Sequence, residues 1–348
     1  MDGLFILELV IALSLGLLTG LVLQRGRACS NTIFRNLTLI KNDELFIIIV
    51  LTICVQLVGY QLYAFLDPAH FSSNPIKLSW IFLPVGSILF GIGTVFAGGC
   101  AGGVCYRVGE GNSKSFLALL GYGVGIGILG VGPIAKIFSN YQSKTFITVQ
   151  GKVPSLDQLA PRLLWTVIAI IISILYIVRY YNLKHANKLK IPSLLPLWTP
   201  VLTGIALGLI GIAMKVSNST RNFSFSTIDG VGNIFQSLIT LNIPNWAGFY
   251  ILGLIIGAFF SSFQISEFHI KKVSMTNVMQ FFGGGIILGI GAMLAGGCNF
   301  GHILGGIPEL GLSSFIAFPL MVMGNWLGSY LFYIKFRQPL PAITPSPT

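Results

Sequence analysis

Three cysteines stand where apolar runs break. Cys100 and Cys298 each follow a glycine pair, in AGGC at 97–100 and again at 295–298, and Cys29 lies in GRACSNT just past the first apolar run. A thiol is a weak hydrogen-bond donor, and its sulfur is a weak, polarizable acceptor. Glycines beside it remove side-chain cover and let backbone N–H groups face a cavity. The helical piece that follows offers N–H groups and partial positive charge, which favour anions. Ser30, Asn31 and Thr32 are capping residues for such a start, and Arg27, Arg35 and Arg107 add positive charge. Thiols, helix starts and few acids point to an anion that carries a sulfur atom.

The candidate pathway residues are Cys29, Cys100 and Cys298, the neighbouring Gly99, Gly297 and Asn299, and His302 and Arg107. His302 has two open readings: it bonds an anion or tunes the thiol four residues before it, or it is a satisfied interior histidine. Glu110 is expected to pair with Arg107 at i, i+3. Cys54, in mid-run, and Cys105 read as packing residues. Cys100, Cys105 and His302 match no common metal spacing, so no metal or cofactor is expected. The five cysteines, spaced 25, 46, 5 and 193 apart, form neither a C-x-x-C pair nor a disulfide framework.

These residues must be positioned by helices in a bilayer. Of 348 residues, 54% are hydrophobic and 9% charged, and the mean hydropathy is +0.82. That is too little polar surface to coat a water-soluble globule. The apolar runs do not alternate, which argues against an outer-membrane barrel. The expected fold is an all-α polytopic membrane protein. About nine runs span a bilayer of roughly 30 Å: 3–24, 45–66, 79–98, 115–135, 163–178, 194–214, 246–264, 277–298 and 312–334. The first is read as a retained span.

The net charge of +11 sets topology rather than nucleic-acid binding. With the N-terminus outside, fourteen Lys and Arg fall in inside segments and seven in outside segments, so the C-terminus is cytoplasmic by the positive-inside rule. Residues 91–103 (GIGTVFAGGCAGG) recur as 289–301 (GIGAMLAGGCNFG), 198 positions on. The copies end the third and eighth spans, so they enter from opposite faces, the layout of an inverted-topology repeat. The first repeat is 1–140, a linker with the fifth span is 141–193, the second repeat is 194–338 and a tail is 339–348. Connections 25–44, 99–114, 215–245 and 299–311 read as about four re-entrant segments lining a central path, with a short amphipathic helix at 232–241. The second repeat lacks a cysteine matching Cys29 and offers only the polar stretch Ser217 to Arg221.

G-R-x-C after the first span, G-G-C-x-x-G followed by Y-R-V-G-E-G, and G-G-C-N-x-G-H resemble the YeeE/YedE family of prokaryotic inner-membrane proteins, over residues 10 to 335. The resemblance implies uptake of thiosulfate into the cytoplasm through nine spans and several half-helices. It implies that Cys29, Cys100 and Cys298 relay the intact ion by S–H···S hydrogen bonds, and that a TusA-like sulfur carrier is a cytosolic partner. Some members are associated with selenium metabolism. Two rivals are a membrane thiol-redox or sulfurtransferase enzyme that breaks an S–S bond, and a heavy-metal or metalloid permease. The first wants a vicinal cysteine pair and the second Met or His clusters beside the cysteines; the sequence shows neither.

Overall fold

The structure is a computed structural model that describes residues 3–40, 43–131, 133–149, 151–185, 198–217, 225–270 and 273–335. Nine helical stretches among the described residues are long and apolar enough to cross a membrane, as the nine runs predict. The protein is an all-α polytopic membrane protein.

Three of the nine stretches are interrupted. The first joins α1 (Gly3–Gly26) to a short α2 (Ser30–Arg35), the third joins α4 (Phe82–Phe96) to α5 (Ala101–Gly109), and the eighth joins α12 (Met275–Ala295) to a π-helical piece, Phe300–Gly306. Unbroken α3 (Phe46–Leu66) and α6 (Ser113–Gly130) complete the first half. The apolar run 115–135 stops at Gly130, because α7 (Pro133–Ser143) opens on a proline, which has no N–H to continue a helix. Helix α8 (Arg162–His185) is the fifth span. The second half follows as α9 (Pro200–Ser217), α10 (Thr227–Thr240), α11 (Trp246–Gln264), α12 (Met275–Ala295) and α13 (Leu312–Ser329). The helix expected at 232–241 thus begins five residues earlier, at Thr227. Each of the four unusual connections holds a short helical piece.

The packing follows the repeat. Helix α1 lies along α11 and α9 along α3; α6 lies along α12 and α13 along α4; α4 and α12 pack on each other. A shift of about 198 residues exchanges α1 with α9, α3 with α11, α4 with α12 and α6 with α13, so the first four contacts map onto one another in pairs and the α4–α12 contact maps onto itself. The helices approach closely over small residues: a side chain at Gly121 would strike Phe282, and one at Gly285 would strike Ala118. Small interface residues let membrane helices dock backbone to backbone, where van der Waals contact replaces the absent hydrophobic drive. Helix α8 stays peripheral. In its most apolar stretch 17% of the residues are buried, against 72% for the α4–α5 stretch, which suits a linker rather than a wall of the core.

One end of the bundle carries a small cap. Leu78 and Ser79 pair antiparallel with Ile147 and Phe146, and Leu156 donates its N–H to the Leu310 carbonyl at 2.8 Å. These contacts gather the α3–α4 connection, the α7–α8 connection and the segment before α13 into one layer.

Candidate functional site

The two AGGC breaks share one backbone device. Gly98 and Gly296 lie in the left-handed region, at φ +72° and +74°, which glycine adopts without the Cβ clash that other residues pay. The chain therefore leaves α4 and α12 sharply and re-enters helix at Cys100 and Asn299. Cys100 caps α5, and its sulfur accepts the Gly103 N–H at 3.2 Å. Cys298 does the same one repeat later, accepting the Gly301 N–H at 3.2 Å. That gives a physical reason for the spacing G-G-C-x-x-G: the last glycine delivers its amide to the thiol of the first turn.

Around these turns the candidate residues come together. The Cys29 and Cys100 sulfurs stand 3.6 Å apart. A side chain at Gly103 would put its Cβ 2.5 Å from the Cys29 sulfur, so the same glycine makes room for the thiol pair. Arg107 donates to the Gly98 carbonyl and packs beside Gly99. His302 braces the other turn from a different position, since the offset of 198 maps it onto Val104. Its Nε2 is 3.2 Å from the Ala295 carbonyl, its Nδ1 is 3.1 Å from Ser314 Oγ, and it packs against Gly297. Both ring nitrogens thus have protein partners, and both residues brace the turn that presents a cysteine. Asn299 turns its amide oxygen to the Phe300 N–H at 3.1 Å and leaves Nδ2 buried without a partner among the described residues. Cys29, Cys100 and Cys298 are fully buried, as is Cys105, which neighbours Cys298.

The partner of Cys298 is a residue that sequence reasoning missed. Thr227 Oγ1 donates to the Cys298 sulfur at 3.1 Å. Thr227 lies 71 residues before Cys298, as Cys29 lies 71 before Cys100. The counterpart of Cys29 is therefore Thr227 and not the stretch Ser217 to Arg221, of which residues 218–221 lie outside the described residues. The fixed offset of 198 carried this signal, since it maps position 29 onto position 227. The two short helices are also held alike. Asn325 on α13 donates to Asn31 at 2.7 Å and to Thr94 at 2.8 Å, and Tyr122 on α6 is 3.3 Å from Thr227.

Charge collects at the two ends. At one, Arg27 pairs with Glu267, which also accepts from Gln24 at 3.0 Å, and the His269 N–H donates to the Glu110 carbonyl at 3.2 Å. The expected Arg107–Glu110 ion pair is not among the contacts of the described residues, because Arg107 turns back to Gly98. Burial pushes the Glu110 carboxyl up, opposed by the charges of Arg107 and Arg27. At the other end Lys215 pairs with Glu309 and donates to the Ser72 carbonyl at 2.7 Å. Ser73 donates to Glu309 at 3.0 Å, and Arg162 to Ser73 at 3.3 Å. Glu110 and Glu309 both follow the short helical pieces that start at the cysteines. Each is clasped by a connection from the other half of the chain.

A bundle of broken apolar helices around buried thiols defines a polytopic membrane protein with a polar seam at its centre. The family model described as Sulphur transport matches residues 25–327, and the chain belongs to that family. It is 32% identical over 337 residues to a protein of Spirochaeta thermophila named thiosulfate transporter TsuA, covering 92% of this chain and 98% of that one. A protein of the same name from Escherichia coli is 29% identical over 92% of this chain and 93% of its own length. The probable transporter YedE of Escherichia coli is 33% identical over 95 residues, 27% of this chain and 24% of its own.

Proposed function

We propose that this protein takes up thiosulfate, or a similar small sulfur oxyanion, across the cytoplasmic membrane of a prokaryote, acting as a transporter and not as an enzyme. The N-terminus is outside and the C-terminus cytoplasmic. The observation that carries the reading is the buried Cys29–Cys100 thiol pair, 3.6 Å apart, with Cys298 held the same way by its own repeat. The names of the two full-length relatives support thiosulfate as the ion.

In this reading residues 1–140 and 194–338 are inverted repeats about the linker 141–193, and their short helices are re-entrant. The ion passes intact along Cys29, Cys100 and Cys298 by S–H···S contacts. A soft terminal sulfur matches a thiol better than a hard oxygen does, and it gives up less hydration on leaving water. Arg107 contributes positive charge beside Cys29. The Lys215–Glu309 cluster lies at the outer end and the Arg27–Glu267 cluster at the inner end. A TusA-like sulfur carrier takes over on the cytosolic side.

The test is uptake into proteoliposomes of thiosulfate labelled on one sulfur or the other. Equal accumulation of both labels is expected. Accumulation of one label alone means that the S–S bond is cleaved, and overturns the intact-ion reading.

A further inference from the structure

We propose that Thr227 is a substrate-binding residue. With Cys298 it forms a mixed hydroxyl–thiol station where its hydroxyl takes an oxygen of the transported ion, whereas the Cys29–Cys100 station meets the terminal sulfur with two thiols. The inference rests on the thiosulfate reading above.

The repeat supplies the first argument. Two pairs separated by 71 residues occupy equivalent places, yet one is thiol and thiol, the other hydroxyl and thiol. Thr227 is fully buried at the start of α10, and its hydroxyl lies between the Cys298 sulfur at 3.1 Å and the Tyr122 hydroxyl at 3.3 Å. A second observation points to a ligand there. Asn299, next to Cys298 and 1% exposed, has its Nδ2 buried without a hydrogen-bond partner among the described residues. A buried donor left unpaired is costly and is rare unless something else satisfies it.

The chemistry of the two stations differs in the required sense. A hydroxyl and an amide N–H are strong donors suited to oxygen acceptors, whereas a thiol is a weak donor with a soft sulfur. Thiosulfate has three oxygens on one end and a sulfur on the other; sulfate has oxygen everywhere. The mixed station accepts either ion by its oxygens. The thiol pair favours only the one with a terminal sulfur, so discrimination is concentrated at Cys29–Cys100 and grip at Thr227–Cys298.

The experiment measures proteoliposome uptake of labelled thiosulfate, with unlabelled sulfate as competitor, for wild type, Thr227→Val, Thr227→Ser and Thr227→Cys. Each variant is first checked for wild-type elution and melting in detergent. Valine keeps the shape and removes the donor; losing a hydrogen bond to a charged group lowers uptake about tenfold or more. Serine restores most of it. Cysteine makes both stations soft, so sulfate competes about two- to fivefold less well than in wild type. Sulfate competition unchanged from wild type in Thr227→Cys overturns the inference, as does wild-type uptake by Thr227→Val. Wild-type vesicles that accumulate no thiosulfate overturn the transport reading itself.

Discussion

The sulfur of Cys29 lies 3.6 Å from that of Cys100, a contact between the end of the first span and the break in the third. Both thiols are fully buried. The pair is internal to the protein, at the seam where α2 and α5 start.

In the proposed pathway the two sulfurs act as one station, so their losses should not add. Cys29→Ala and Cys100→Ala are each expected to abolish thiosulfate uptake, and the double variant to be no worse than either alone, the pattern of residues that work as a unit. Cys298→Ala should abolish it as well. Cys54→Ala, in the middle of α3, should stay near normal. Growth on thiosulfate as sole sulfur source reads all of these, and normal growth of Cys100→Ala and Cys298→Ala would end the thiol pathway.

The two repeat glycines should respond differently to a methyl group. At Gly103 the added Cβ meets the Cys29 sulfur at 2.5 Å and the Cys100 sulfur at 3.1 Å; at Gly301 the Cys298 sulfur is 3.8 Å away, an ordinary contact. Gly103→Ala must therefore push the thiol pair apart, while Gly301→Ala fits. The expected result is uptake reduced at least about tenfold for Gly103→Ala and a mild effect for Gly301→Ala. Equal effects would mean that the spacing between Cys29 and Cys100 does not govern transport.

Lys215 and Glu309 form an ion pair whose side chains are 7% and 6% exposed. Removing one member of such a pair leaves a buried charge uncompensated, at a cost of about 3–5 kcal/mol, whereas replacing both is near neutral. Lys215→Met and Glu309→Leu should each lower the melting temperature in detergent, and the double variant should melt above either one. If the double variant melts lowest, the two side chains act separately and do not form a clasp.

Much of this was legible in the chain. The apolar runs located nine crossings because a bilayer demands about 20 apolar residues per span. The repeated AGGC located both breaks, since glycine alone takes the left-handed turn at Gly98 and Gly296 cheaply. The partners were not legible. Arg107 sits three residues from Glu110, and helix spacing pairs them, but the carbonyl left free by the turn at Gly98 captures the guanidinium instead. Thr227 was hidden for another reason. Its helix α10 follows a connection longer than the one after α1, so the eye looks for the counterpart of Cys29 just after α9, at Ser217. Only the fixed offset, which the packing obeys, leads to the right residue.

The orientation follows from charge and can be tested alone. Fourteen of the 21 Lys and Arg fall in segments on one side if all nine stretches cross, and seven on the other. Basic residues are retained in the cytoplasm during insertion, so the crowded side is expected to be inside. The connection before α8 is then outside and the one after it inside. In a background with the native cysteines removed, Ser155→Cys should react with an impermeant maleimide applied from the periplasmic side, and Asn187→Cys only with reagent applied from the cytoplasm. Ser155 lies in the cap that joins the α7–α8 connection to Gly311, so its labelling also reports which end of the bundle carries the Lys215–Glu309 clasp. Labelling of position 155 from the cytoplasm alone would reverse the assignment of outer and inner clasps, and with it the direction in which the ion meets them.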